Sequence, residues 1–328
     1  MIKKFLIQWS TFLFILLLTF ISTHNPITSN YIEMLKHEAS VPAMTSKNPL
    51  YEEIVNRKAE FEVAPIDARV DKVWKGIPGL NGLSVNEAAS YDKMRKEGVF
   101  QKNKLVYDQT SPEVTLDDLP PSPIFRGNSE KPMVALMINV AWGNEFLPGM
   151  LKTLKEHDVK STFFLDGSWV KNNPKLAKMI VEEGHEIGNH AYSHPDMKQL
   201  SNDRIREELV KTNDIISATL GLNPHWFAPP SGSFRQDVVD IASELSMHTV
   251  MWTVDTIDWQ NPAPDQMARK IIDKSEPGSL VLMHPTSSAV QGLEDMIEGL
   301  KEKGLQLGTV SKTLSEERII GKQQQTWY

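Results

Sequence analysis

The chain has 328 residues, room for one large domain and a smaller companion, and its 40% hydrophobic and 23% charged content is that of a globular protein able to bury a core. A formal net charge of −7 argues against nucleic acid as a partner, because neutralising phosphates needs a clustered basic face that this sequence lacks. The absence of cysteine excludes disulfides, thiolate metal sites and thiol nucleophiles, suits a bacterial protein working outside the cytoplasm, and leaves any metal to histidine, carboxylate or water.

In chain order, Lys3 and Lys4 precede an uncharged run over residues 5–21, which lies between the length of a signal-peptide core and a full membrane span. Residues 1–22 are therefore expected to be a signal peptide or a membrane anchor. Thr23, His24 and Asn25 offer no small-x-small cleavage site, which favours an uncleaved anchor with its positive end inside. Residues 23–63 are polar, with weak helical patterns over 31–37 and 50–57, and are expected to form a tether. Residues 64–123 hold a short apolar segment at Val73 and Trp74, glycines at 76, 79 and 82, a helix-compatible stretch over 84–97 and an extended run at Leu105, Val106 and Tyr107. This predicts a smaller N-terminal α+β domain, closed by the Pro-rich linker at 119–123.

From 131 to 312 the pattern changes to short apolar runs at 133–139, 161–165, 186–189, 225–228, 248–255, 279–284 and 305–310, separated by amphipathic helical stretches. Examples are Leu176, Met179 and Ile180 ending at Gly184, and Ile205, Leu209, Ile215, Ile216 and Leu220 ending at Gly221. Seven strands alternating with helices predict an α/β fold with a parallel sheet, compatible with a closed barrel. No Gly-rich phosphate loop follows the first strand, which makes a nucleotide-binding open sheet the weaker alternative. Residues 313–328 form a tail.

In a parallel barrel, functional side chains gather at the C-terminal strand ends. Asn139, His190, His194, Asp255, Asp258 and His284 all fall at or just after such ends. His190 and His194 are four apart, a spacing that lets two imidazoles grip one divalent cation but is also that of two ordinary histidines. His284 follows the apolar run Leu280, Val281, Leu282, Met283 and precedes Pro285, which puts its ring at the barrel mouth, where it can deliver a proton to a leaving group. Either Asp255 or Asp258 can orient it, and either can instead cap the next element.

Four segments carry a resemblance. They are 162–167 (TFFLDG), 183–190 (EGHEIGNH) with His194, 254–259 (VDTIDW) and 282–284 (LMH), and in order and spacing the chain resembles the polysaccharide deacetylases of the NodB homology family, closest in flavour to sporulation-associated exported deacetylase-like proteins of bacilli. The resemblance covers about 180 residues. It implies a distorted (β/α)7-type barrel, a zinc-type cation on His190 and His194, hydrolysis of N-acetyl groups on chitin-like or peptidoglycan sugars, and cell-wall glycan as partner. It makes His284 the general acid with Asp255 as its orienting partner, and places Pro230, Trp259 and Leu282 in the substrate groove. The family opens its site with two consecutive carboxylates at the end of strand one, a general base and a metal ligand. Aligned on Val134, Ala135 and Leu136, those positions are Asn139 and Val140 in this chain. The arginine that orients the base is replaced by Ala228. An amide near neutral pH accepts no proton as a carboxylate does, and valine has no lone pair for a cation. Glu145, six residues after Asn139, is the carboxylate a rescue would need. The expectation is an exported glycan-binding relative with impaired catalysis and weakened metal affinity. The alternatives are an active N-deacetylase of altered chemistry and an envelope or spore-assembly scaffold.

Overall fold

The computed structural model describes residues 48–320; the expected leader or anchor, the helical pattern over 31–37 and the last eight residues lie outside them. Among the described residues no helix is long and apolar enough to cross a membrane.

The N-terminal elements are α1 (Pro49–Arg57), β1 (Arg69–Asp71), β2 (Lys75–Ile77), β3 (Gly82–Val85), α2 (Glu87–Met94) and β4 (Tyr107–Thr110). The helix expected over 50–57 forms because the Asn48 side chain accepts the Leu50 amide and Pro49 pre-sets the first turn. Two compact units divide the chain. One holds residues 48–62 with Ser84–Asp108, around a core of Leu50, Ile54, Phe61, Val85, Met94 and Leu105. The other holds Val63–Leu83 and residues 109–320.

These boundaries differ from the expected division at 64 and 123. Residues 63–83 and 109–123 belong with the barrel, and the Pro-rich stretch does not separate domains. Prolines cannot donate hydrogen bonds but their carbonyls accept them: Gly76 N donates to Pro123 O (3.0 Å) and Gln236 Nε2 to Pro121 O (3.0 Å). Ile124 then pairs in parallel with Val250 and is buried in the barrel interior.

The barrel elements are β5 (Met133–Val140), α3 (Leu147–Glu156), β6 (Thr162–Leu165), α4 (Gly167–Asn172), α5 (Pro174–Glu182), β7 (Glu186–Asn189), α6 (Asn202–Leu220), β8 (Trp226–Phe227), α7 (Gln236–Glu244), β9 (His248–Thr249), β10 (Val254–Asp255), α8 (Pro264–Lys274), β11 (Leu280–Met283), α9 (Ser287–Glu302), β12 (Gln306–Gly308) and α10 (Val310–Leu314). All pairings in this eight-stranded sheet are parallel, in the order β10-β11-β5-β6-β7-β8-β9. Ala135 pairs with both Leu280 and Gly308, so β12 fills the lower part of the edge that β6 takes further up.

Every residue of β5 is buried, as a strand covered on both faces requires. Val134, Leu136, Ile138 and Val140 pack into the helix layer with Leu147, Met150, Leu151 and Leu154, while Ala135 and Met137 face the interior with Phe164, Trp226, Ala228 and Leu280. Each fully buried side chain of leucine or phenylalanine size stabilises the fold by about 1.5–3 kcal/mol.

The expected run over 248–255 is two strands. β9 pairs with β8 and β10 with β11, joined by four residues, too few for the crossover that neighbouring parallel strands need. β9 and β10 therefore do not pair with each other. A continuous, bent piece of chain, not a hydrogen-bond ladder, joins the two ends of the sheet, and the barrel is distorted and open there.

Candidate functional site

The C-terminal strand ends surround a cleft of about 420 Å³ lined by Asn139, Ala141, Trp142, His190, His194, Ser231, Trp252, Asp255, Trp259, Leu282 and His284. A larger cavity, about 620 Å³, opens at the opposite strand ends beside Trp226 and His248. We assign the site to the smaller cleft because the acid–base groups converge there and because parallel barrels work at that face.

The histidine loop follows β7. Ala191 and His194 both have positive φ (60° and 54°), so the turn is held in a conformation L residues resist. Two buried residues hold it. Asn189 accepts the Ala191 amide (2.8 Å) and donates to Leu209 O (3.0 Å) and Asn213 Oδ1 (2.8 Å). Glu208, on α6, accepts from Tyr192 N (2.9 Å), Ser193 N (2.8 Å) and Ser193 Oγ (2.9 Å). The two imidazoles meet edge to face, centroids 5.2 Å apart. His190 Nδ1 donates to Ala228 O (2.7 Å), which leaves Nε2 as the lone-pair nitrogen. Complete burial, with His194 and His284 nearby, pushes the His190 pKa down to about 3, so the ring is neutral at physiological pH.

His284 sits at the end of β11. Its Nδ1 donates to Asp258 Oδ1 (2.9 Å) and its backbone N to Asp258 Oδ2 (2.6 Å), and Asp258 is fully buried. The orienting carboxylate is therefore Asp258, not Asp255. Asp255 lines the cleft, but its Oδ1 accepts the Ile257 amide (2.8 Å), closing a local turn. Ile257 adopts a left-handed φ of 55°, and that turn delivers Asp258 beneath the ring. Trp142 stacks on His284, centroids 6.0 Å apart and planes within 9°. Its loop passes close over the following turn at Gly143, where φ is +82° and a Cβ would lie 2.1 Å from Pro285 O, so only glycine fits.

The ends of β5 and β8 are built differently. Asn139 is 3% exposed, and its Oδ1 has no hydrogen-bond partner. An unpaired buried acceptor costs about 1–3 kcal/mol. Val140 is buried in the outer apolar cluster and does not line the cleft. Ala228 is buried in the barrel interior, contributing only its carbonyl to the site. Of the expected groove residues, Trp259 and Leu282 line the cleft; Pro230 is buried behind it and its neighbour Ser231, at φ 52°, takes the lining position. Glu145 is exposed and outside the cleft lining.

A catalytic zinc takes three protein ligands and keeps one open position. This site offers two imidazoles and, among the described residues, no third histidine or carboxylate within mutual reach of both. The donor set does not fit a catalytic metal centre. The one described group with that spacing, His157, Glu294 and Glu298, lies among the outer helices.

Sequence reasoning does not point to Trp142, Trp252 or the Glu208 clamp, and it leaves Asp258 as one of two candidate partners of His284, with the family pattern favouring Asp255. Glu208 had a signal: it falls in the buried stripe Ile205, Glu208, Leu209, Thr212, Ile216, where an acid must have partners. Trp142 lies in the altered first motif, three residues beyond Asn139.

Residues 126–250 match the family model for polysaccharide deacetylase. A peptidoglycan-N-acetylglucosamine deacetylase of Bacillus cereus is 36% identical over 57% of this chain and 70% of its own length. The chain belongs to the polysaccharide deacetylase family. Among solved structures, a protein of Bacillus anthracis described as a CE4 family pseudoenzyme is 52% identical, with a TM-score of 0.79 over 82% of this chain and 96% of that one. A mutant form described as having restored enzymatic activity aligns at 51% identity and a TM-score of 0.79, over 82% of this chain and 99% of that one. The distorted NodB-like barrel expected from the motifs is thus the fold of this family.

Proposed function

We propose that this chain is an exported, cell-wall-facing member of the deacetylase family that binds N-acetylated glycan in its cleft without hydrolysing it. The observation that carries this reading is Asn139. At the place where hydrolysis needs a base, the cleft presents an amide, and the one carboxylate of its lining, Asp255, is engaged with the Ile257 amide. Removing an acetyl group requires a base to take the proton of the attacking water and a metal to polarise the carbonyl. Asp258 and His284 supply the acid half alone.

What remains is suited to holding sugar. Trp142 is 46% exposed and Trp259 57%, flat apolar faces in the cleft lining, to which Trp252 adds a third indole. Pseudoenzyme status in the Bacillus anthracis relative supports the reading. Export rests on the N-terminal run behind Lys3 and Lys4, and weak divalent-metal binding rests on His190 and His194 alone.

The test is a titration of the full chain with the tetramer of N-acetylglucosamine, followed by tryptophan fluorescence, alongside an acetate-release assay. Saturable binding is expected, weakened about tenfold by Trp142→Ala or Trp259→Ala, with no acetate released. Turnover that disappears in His284→Ala would replace the binding reading with that of an active N-deacetylase.

A further inference from the structure

The hairpin of β1 and β2 belongs to the barrel unit but takes no part in the cleft or the parallel sheet. Its strands pair antiparallel, Arg69 with Ile77 and Asp71 with Lys75. Its base is fixed by Gly76 N donating to Pro123 O (3.0 Å) and by the pairing of Lys75 with Ile124. The turn is held as well, because Asp71 Oδ1 accepts the amides of Val73 (2.7 Å) and Trp74 (2.9 Å). What this fixed turn displays is apolar: Val70 is 49% exposed, Val73 70% and Trp74 36%. Folding gains nothing from holding these three side chains in water.

Four cations surround them. Arg69, Lys72 and Lys75 are exposed on the hairpin, and the Arg126 guanidinium carbon lies 5.6 Å from the Trp74 ring centroid. Among the described residues none of the four is within ion-pair distance of a carboxylate. Asp71, the one acid of the hairpin, spends Oδ1 on the turn, so a basic patch stands on a chain of net charge −7. An indole and two valines ringed by lysine and arginine match the surface of an anionic bilayer, where indole settles at headgroup level and each cation is drawn to the lipid charge. A protein partner fits less well, since a stable interface takes about 20–30 residues a side and this patch is confined to 69–75 and Arg126. Arg126 also fixes which end of the barrel this is. It bridges to Ser279 and its Nη2 donates to Pro277 O (2.9 Å), just before β11 begins at Leu280, whereas the cleft opens past the other end of β11, at His284.

We propose that the β1–β2 hairpin is a membrane-contact element. Val73 and Trp74 enter the headgroup level of an anionic bilayer, Arg69, Lys72, Lys75 and Arg126 meet lipid phosphates, and the barrel is held with its cleft turned away from the membrane. This goes beyond the glycan reading and rests only on the reading of the chain as exported.

The chain has no cysteine, so Val73→Cys carries a polarity-sensitive dye at a single place. The labelled full chain is mixed with vesicles of phosphatidylglycerol or of phosphatidylcholine, and the same dye on Glu145→Cys, exposed in the loop after β5 at the cleft end, is the reference. A blue shift is expected at position 73 with phosphatidylglycerol alone, and none at 145. The docking equilibrium read from the dye should weaken about fivefold for each of Lys72→Gln and Lys75→Gln. No shift at 73, equal shifts at 73 and 145, or the same shift with phosphatidylcholine overturns the proposal and leaves glycan binding untouched. A shift as large with soluble poly(glycerol phosphate) and no lipid also overturns it, in favour of a polyanion as partner. If the lysine variants do not fold, salt decides: the shift must shrink between about 0.1 M and about 1 M, where the charges are screened, and a shift that persists contradicts the role of the four cations.

Discussion

At the ends of β7, β10 and β11, three groups are held by other parts of the protein: His190 by Ala228 O, the histidine loop by Asn189 and Glu208, His284 by Asp258. At the ends of β5 and β8, which alternate with them around the mouth, the positions that carry a base, a ligand and an arginine in the family pattern hold Asn139, Val140 and Ala228. The difference follows from what each group depends on. The first set is satisfied by bonds inside the protein and needs no metal to keep its geometry. In the family pattern the second set consists of charges that compensate one another, and once one is lost the others become unpaired charges in a low-dielectric site. Apolar replacements at 140 and 228 remove that cost, and their side chains are absorbed into the two apolar clusters that flank β5.

Substitutions in the retained set should cost the most. Glu208→Ala strips three donors of their acceptor beside a strained turn, and a loss of about 3 kcal/mol is expected by denaturant unfolding. A loss under about 1 kcal/mol would mean that the loop stands without its clamp. His185, just before β7 and at the end of the barrel opposite the cleft, is next. Burial pushes its pKa down to about 4, its Nδ1 accepts the Ser161 amide (3.2 Å) and its Nε2 has no partner. Because the folded pKa lies below the unfolded value near 6.5, the unfolded chain binds more protons between the two. Stability is then fully present above about pH 6.5 and falls as pH drops towards 4, by up to about 1.4 kcal/mol per unit. His185→Asn, which can still accept from Ser161, should flatten that part of the curve in unfolding experiments across this range.

In the altered set a smaller effect of opposite sign is expected. Asn139→Leu removes the unpaired acceptor and should stabilise the protein by about 1 kcal/mol, read as a rise in melting temperature. Destabilisation there would show that Asn139 is satisfied in solution. A variant of Asp258 sharpens the comparison further: Asp258→Asn keeps the shape under His284 but removes the charge. In any form of the chain made active, it should lower turnover by roughly a hundredfold, the scale of a general acid's contribution, whereas Asp255→Asn should cost much less.

The barrel was legible because strand ends and helix ends are marked locally. Gly184 and Gly221, both left-handed, follow the helices predicted before them, and 186–189 is a strand as read. Non-local pairing was not legible: nothing in 119–123 shows that Pro123 and Ile124 dock on the barrel, and nothing in 248–255 shows where one strand stops pairing and the next begins. At the site, motif spacing located His190, His194, His284 and Asn139. It could not choose between Asp255 and Asp258, because that choice depends on the left-handed residue Ile257, which turns the second carboxylate under the ring. Trp142 and Glu208 act through space on residues far from them in sequence, His284 and the loop at 192–193.

Loss of catalysis at the cleft is tested most directly by acetate release from N-acetylglucosamine oligomers with zinc supplied, by the unmodified chain and by the Asn139→Asp, Val140→Asp, Ala228→Arg combination. No release is expected from the unmodified chain, and measurable, His284-dependent release from the combination. Release by the unmodified chain at a rate comparable to the combination, abolished by His284→Ala, would contradict it.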